Sequence, residues 1–223
     1  MNITEYADAE MMSIALVGRI ASDLRTALSN RDRALLVVPG GETPGPIFDD
    51  LCGARVEWDR VDVLLSDERW RPEAHIRSNT RLVRERLLVD GAAAANYLPM
   101  YARTETPEEA VDELAAAIEP CLPISVMLLG MGEDMHTASL FRGADNFERA
   151  LDRDAPILLP MRLDGEPEPR VTLAAHVLDG AMRKHLVITG DAKRKALEKA
   201  RTMSPYDAPV AAVMDDLEVH WAP

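Results

Sequence analysis

The sequence predicts an α/β fold: a mostly parallel sheet covered by helices on both faces. Three observations carry that expectation. Short apolar runs, "ALLVV" (34–38), "VDVLL" (61–65), "ISVMLLG" and "KHLVITG", do not alternate apolar with polar residues, as strands buried on both faces do not. Between them lie stretches with apolar residues at helical spacing. Hydrophobic residues make up 47% of the 223, and no linker, repeat or break in composition interrupts them, so residues 1–223 are read as one domain.

In order along the chain, residues 7–28 place Met11, Ile14, Ala15, Ala21, Leu24 and Leu28 on an amphipathic helix. The strand at 34–38 runs into a Pro-Gly-Gly turn and a helix opening near Pro44 to Pro46, where proline fits a first turn. The strand at 61–65 leads into the polar loop "SDERW". "SNTRLVRERLL" starts a helix capped by Ser78 or Asn79. "TPEEAVDELAAAIE" is a helix capped by Thr106, with Pro107 at its first position. "ISVMLLGMG" is the third strand; "APILLPM" and "VTLAAHVL" are ambiguous. "KHLVITG" is the fourth strand, followed by the helix "DAKRKALEKA", and "VAAVM" and "LEVHW" are read as short closing strands.

A formal net charge of −13 argues against nucleic acid and anionic membrane as partners, so an anionic ligand must be drawn in by a local cationic cluster. No apolar run approaches the ~18 residues of a membrane span. The first residues, "MNITEYADAE", lack the pattern of a secretory signal, and a cytoplasmic protein is expected. Cys52 and Cys121 lack metal-ligand spacing and are read as reduced. The sequence leaves monomer and homodimer both open.

In open α/β sheets, ligands bind beyond the carboxyl ends of the strands, and four loops there carry chemistry. "PGGETP" (39–44) offers Gly40 and Gly41 for close backbone approach, the Thr43 hydroxyl, and the free N–H groups of the next helix. "SDERW" (66–70) offers Arg69, whose planar fork suits a phosphate, with Asp67 and Glu68 to orient it. "GMGEDMH" sets His136 in a turn opened by Gly130 and Gly132, with Asp134 or Glu133 to hold its tautomer; an imidazole can act as a base near neutral pH. "ITGDAK" puts Lys193 in the first turn of a helix, where a cation opposes the dipole unless it faces an anion. No metal site is expected, because no second histidine or cysteine stands at ligand spacing from His136. Together the loops describe a sugar-phosphate pocket with one general base.

These motifs, with "HIRSN" (75–79), "PRVTL" (169–173) and the tail "VHW", resemble in order and composition the 6-phosphogluconolactonase family, within the glucosamine-6-phosphate isomerase/deaminase superfamily. The resemblance implies a Rossmann-like doubly wound domain. It also implies hydrolysis of 6-phospho-D-glucono-1,5-lactone without metal or cofactor. His136 would be the general base, with Arg69, Arg170 and Lys193 around the phosphate. Gly40, Gly41 and Thr43 would line the substrate, with Asp67 and Asp134 nearby and His75 and Asn79 as loop supports. One departure stands out: Met135 replaces the family's usual glycine. If that residue needs a positive φ, the methionine costs on the order of 1 kcal/mol.

Two rival readings are weighed. The isomerase/deaminase branch carries a glutamate five residues after the histidine, where this sequence has Phe141, and an Asp-Glu-Tyr in place of "SDER". A non-catalytic sugar-phosphate sensor would be expected to carry a DNA-binding module, for which the acidic chain leaves no room.

Overall fold

A computed structural model describes residues 1–223. In chain order its strands are β1 (Asn2–Glu5), β2 (Ala34–Val38), β3 (Val61–Leu65), β4 (Asp67–Arg69), β5 (Asn96–Tyr97), β6 (Val126–Gly130), β7 (Leu158–Met161), β8 (Arg170–Leu173), β9 (Lys184–Thr189) and β10 (Leu217–Ala222). Its helices are α1 (Ala9–Leu28), α2 (Gly45–Leu51), α3 (Asn79–Arg86), α4 (Val111–Ile118), α5 (Phe147–Leu151), α6 (Ala175–Asp179) and α7 (Asp191–Ala200). Seven strands form an all-parallel sheet in the order β1-β10-β9-β6-β2-β3-β5. The remaining three form a small antiparallel sheet, β4-β8-β7.

The strand order follows from burial. Every residue of β2 and β3 is buried, so these strands must sit inside the sheet with layers on both faces. Helix α1 covers one face with Met12, Leu16, Ile20, Leu24 and Leu28, each four residues from the next, and packs on β2, β6 and β10. Its start is fixed by Asp8, whose carboxylate accepts from the Met11 N–H at 2.8 Å. From β2 the chain progresses outward through β3 and β5; it then returns to the other side of β2 and continues through β6, β9 and β10. The direction of winding therefore reverses between β2 and β6, and the loops after those two strands diverge around a crevice.

The predicted strands at 34–38 and 61–65, the helix at 191–200 and the Ser78 cap are all found, the Ser78 hydroxyl accepting from the Arg81 N–H. Three expectations are corrected. "SDERW" is not a loop: Asp67–Arg69 is strand β4, with Asp67 and Glu68 buried. Glu68 is fully buried because its carboxylate closes the start of α3, accepting from the N–H groups of Asn79 and Thr80 and the hydroxyls of Ser78 and Thr80. "VAAVM" is not a strand but a 3-10 turn, Pro209–Val213, whose first proline withholds a ladder donor. The helix expected from Thr106 begins as a 3-10 turn, Pro107–Glu109, under a Thr106–Glu109 capping box, and is α-helical only from Val111. Strands β1 and β5, unrecognised in the sequence, are edge strands of four and two residues without an apolar run. The ambiguous segments "APILLPM" and "VTLAAHVL" supply β7, β8 and α6. No helix is long and apolar enough to cross a membrane.

Candidate active site

At the β2/β6 reversal a cleft of about 250 Å³ is lined by Gly40, Gly41, Thr43, Asp67, Arg69, His136, Arg170 and Lys193, among others. Eight of the nine residues singled out from the sequence thus reach one cavity. The ninth, Asp134, stands directly behind His136. A wider groove of about 820 Å³ along α3 is lined by Arg81, Arg84, Tyr101 and Arg103 but has neither an imidazole nor a glycine turn. The chemistry lies in the smaller cleft.

The His136 loop is built as a closed turn. The Gly132 N–H donates to the His136 carbonyl and the Met135 N–H donates to the Gly132 carbonyl, both at 3.0 Å. This geometry sets Met135 at φ +69° and Ala138 at φ +49°, so two ordinary residues flank His136 in the left-handed region. The cost anticipated for Met135 is therefore real in this turn. It is met by bracing: the Val210 N–H, in the 3-10 turn that replaces the expected strand, donates to the Met135 carbonyl at 3.0 Å, and the Met135 side chain packs against the core.

Asp134 Oδ1 lies 2.6 Å from His136 Nδ1. Burial pushes the Asp134 carboxyl up, but the hydrogen bond and charge of His136 outweigh it and hold the group below the usual carboxylate range. An ionised Asp134 takes the Nδ1–H and leaves Nε2 as the free lone pair. Between the two candidates for this role, Asp134 fills it; Glu133 is exposed and does not contact the ring. The imidazole also rests on Phe141, with ring centroids 4.5 Å apart.

Gly132 permits this arrangement. A Cβ there would overlap both Asp134 Oδ1 and the His136 ring. Gly132→Ala is expected to displace the pair and lower turnover at least tenfold, since small misplacements of a catalytic group are costly. A variant of unchanged turnover in a steady-state assay would show that the pair is not needed.

The cationic side is made by the small antiparallel sheet. Arg69 on β4 and Arg170 on β8 are register partners. Like charges directly opposite each other destabilise a strand pair. Burial first, then the charge of Arg170, pulls the Arg69 guanidinium below its ordinary value. Each arginine has a buried Nε with no acceptor in the protein. One terminal nitrogen of each is held: Arg69 Nη1 donates to Asn79 Oδ1 at 2.8 Å and to the Arg77 carbonyl at 2.9 Å, and Arg170 Nη2 donates to Glu166 Oε2 at 2.9 Å. Lys193 reaches the same cleft from the first turn of α7, after Gly190 at φ +81°.

Asp67, expected near the chemistry, is 5% exposed, and both its oxygens are already engaged. Oδ1 accepts from the Ser66 hydroxyl at 3.0 Å and Oδ2 from the Ser139 hydroxyl at 2.6 Å, with Arg170 Nη1 at 3.8 Å. It ties the His136 loop to the arginine sheet. Asn79, read from sequence as a loop support, does more. It lines the cleft, grips Arg69 and donates to the Asp67 carbonyl at 2.9 Å. It also fills the space a Cβ on Gly40 would occupy, which is why that turn carries a glycine. His75 stays outside the cleft, its Nδ1 accepting from the Arg77 N–H at 3.2 Å. Ser139 and Glu166 carry no local signal of a part in the site, and Phe141, singled out in the sequence only where the isomerase branch has its glutamate, packs on both His136 and Arg170.

The profile of the family described as glucosamine-6-phosphate isomerases/6-phosphogluconolactonase matches residues 7–221. A protein of Mesorhizobium japonicum named 6-phosphogluconolactonase is 38% identical, over all of this chain and 95% of its own. One of Rhizobium meliloti with the same name is 36% identical, over all of this chain and 99% of its own. The crystal structure of a 6-phosphogluconolactonase from Shewanella baltica superposes with a TM-score of 0.95 at 30% identity, covering 99% of this chain and 97% of that one. With the motifs, the winding of the sheet and the full-length matches in agreement, the chain belongs to the glucosamine-6-phosphate isomerase/6-phosphogluconolactonase family.

Proposed function

We propose that this protein hydrolyses 6-phospho-D-glucono-1,5-lactone to 6-phosphogluconate, in the cytoplasm and within the pentose phosphate pathway, with His136 as general base and no metal in the chemistry. The observation that carries this reading is the pairing, in one cleft, of two register-opposed arginines with unmet Nε donors and an imidazole tautomerised by Asp134. The first suits a phosphate dianion, the second a proton transfer.

A lactone is an ester, so water must attack C1. His136 Nε2 takes the proton of that water, and Asp134 stabilises the imidazolium that forms. The N–H groups of the Gly40–Gly41 turn are the donors available to the developing oxyanion, since that of Gly132 is already given to the His136 carbonyl. The imidazolium then returns its proton to the ring oxygen as the C–O bond breaks. The isomerase/deaminase alternative is disfavoured by Phe141: where that branch is expected to have a ring-opening carboxylate, this side chain is apolar and packed between His136 and Arg170, whose guanidinium lies 4.9 Å from the ring centre. The sensor alternative is disfavoured by the intact Asp134–His136 pair.

The test is time-resolved loss of freshly made 6-phosphogluconolactone, with the spontaneous opening subtracted and with glucosamine 6-phosphate as the rival substrate. Acceleration of the first alone is expected, unchanged after prolonged chelation. No acceleration above background, or loss on chelation restored by one divalent ion, would overturn the substrate or the metal-free chemistry respectively.

A further inference from the structure

Three side chains from two neighbouring strands converge beneath α1, and none of them lines the catalytic cleft. His185 on β9 and Glu218 on β10 are register partners in adjacent parallel strands, and His220 follows Glu218 by two residues. The period of two along a strand puts all three on one face of the sheet. His185 Nδ1 lies 3.2 Å from His220 Nε2 and 3.9 Å from Glu218 Oε2.

These distances have a chemical meaning. Two nitrogens bound tetrahedrally to one zinc at 2.0–2.1 Å stand about 3.3 Å apart. The two imidazoles already have that separation, and all three ligand atoms lie within 4.8 Å of one another, so the carboxylate must swing inward, by roughly half an ångström on the His185 side. Each ligand is held from behind. His185 Nε2 faces Asp23 Oδ2 at 3.0 Å, the carboxylate–histidine arrangement that orients metal-binding imidazoles. His220 Nδ1 meets the Tyr6 hydroxyl at 2.9 Å, and Glu218 Oε1 accepts from Arg19 at 2.7 Å.

The protein alone can also satisfy most of these atoms as a chain. Tyr6 O–H donates to His220 Nδ1, His220 Nε2–H donates to His185 Nδ1, and His185 Nε2–H donates to Asp23. Glu218 has no place in that chain. It sets a carboxylate oxygen against a lone pair of His185, a repulsive contact that a cation between them reverses. Conversion to a metal site needs Glu218 to swing inward and the His220 proton to move from Nε2 to Nδ1, where it donates to the Tyr6 oxygen, whose own proton turns towards solvent. Arg19 and Arg183 also face the cluster, but both are about half exposed and screened by solvent, and each is paired with Asp23 or Glu218.

We propose that His185, His220 and Glu218 form a structural site for a divalent transition-metal ion of the zinc class, clamping β9 to β10 under α1. Two imidazoles and one carboxylate favour zinc, cobalt or nickel over magnesium or calcium. Glu218 borders an open cleft with Lys184 and Leu217, through which an ion can enter and a water can fill the fourth position.

The test is titration of the metal-stripped full chain with Co²⁺, followed by absorption in the visible and displaced by Zn²⁺. One equivalent of saturable, low-coordinate Co²⁺ is expected, with a zinc-dependent rise in Tm and no response to Mg²⁺. Glu218→Gln is expected to weaken binding at least tenfold while leaving metal-free lactone hydrolysis unchanged, and His185→Gln to abolish binding. Should His185→Gln fail to fold, Glu218→Gln, on a half-buried side chain, decides alone. Absence of stoichiometric binding overturns the proposal. So does binding that survives Glu218→Gln but is lost in His136→Ala, which would assign the ion to the catalytic pair and leave the cluster a hydrogen-bond chain.

Discussion

Replacing His136 by alanine is expected to lower kcat by roughly 10²–10⁴-fold, the usual weight of a positioned general base, with KM nearly unchanged. The side chain is 31% exposed and touches Phe141 and Asp134, so its loss uncovers little apolar area and the fold should survive. The acid limb of the pH–rate profile tests the same assignment. Only a neutral imidazole accepts a proton, so the wild-type rate should fall on acidification. Asp134 does not blur this limb, because the His136 contact keeps its carboxyl ionised to below the usual carboxylate range. In Asp134→Asn the ring loses its anionic partner, so the maximum rate should drop. A His136→Ala enzyme of near-normal turnover in single-turnover kinetics would move the base elsewhere, and one that unfolds would make the histidine a support for its loop.

The second large effect is expected on substrate binding. Arg69→Ala and Lys193→Ala should each raise KM about tenfold or more, and the Arg69→Ala/Arg170→Ala pair about a hundredfold, if each charge-assisted contact to phosphate contributes ~1.5–3 kcal/mol. The pair should act through KM more than kcat, because the arginines lie on the antiparallel sheet and not on the loop that carries His136. An unphosphorylated lactone, slow in any case, should be almost indifferent to all of these changes. Equal proportional damage on both substrates would assign the arginines to the reacting carbon instead.

Much of this protein is determined by local sequence. The strand at 34–38 is apolar throughout and that at 61–65 is apolar but for Asp62, and such runs are buried on both faces; the helix at 191–200 follows from its position after a glycine-ended strand. The chemistry-bearing loops were legible for the same reason. Glycines, a lone histidine and an arginine directly after buried strands are costly or idle unless a ligand uses them. Tertiary structure alone decided the rest, wherever the partner of a residue lies far along the chain. "SDERW" reads as polar and exposed until β8 pairs with it and the start of α3 supplies donors to Glu68. "VAAVM" reads as a strand until Pro209 opens a 3-10 turn that braces Met135. Arg69 and Arg170 become one anion grip only through antiparallel register, a relation between residues about a hundred positions apart. His185, Glu218 and His220 carry no ligand spacing in sequence, because adjacent parallel strands and not a local turn bring them together. Local propensity specifies the elements and the loop chemistry; strand pairing specifies which of those chemistries face one another, since a parallel ladder joins segments whose separation the intervening chain does not record.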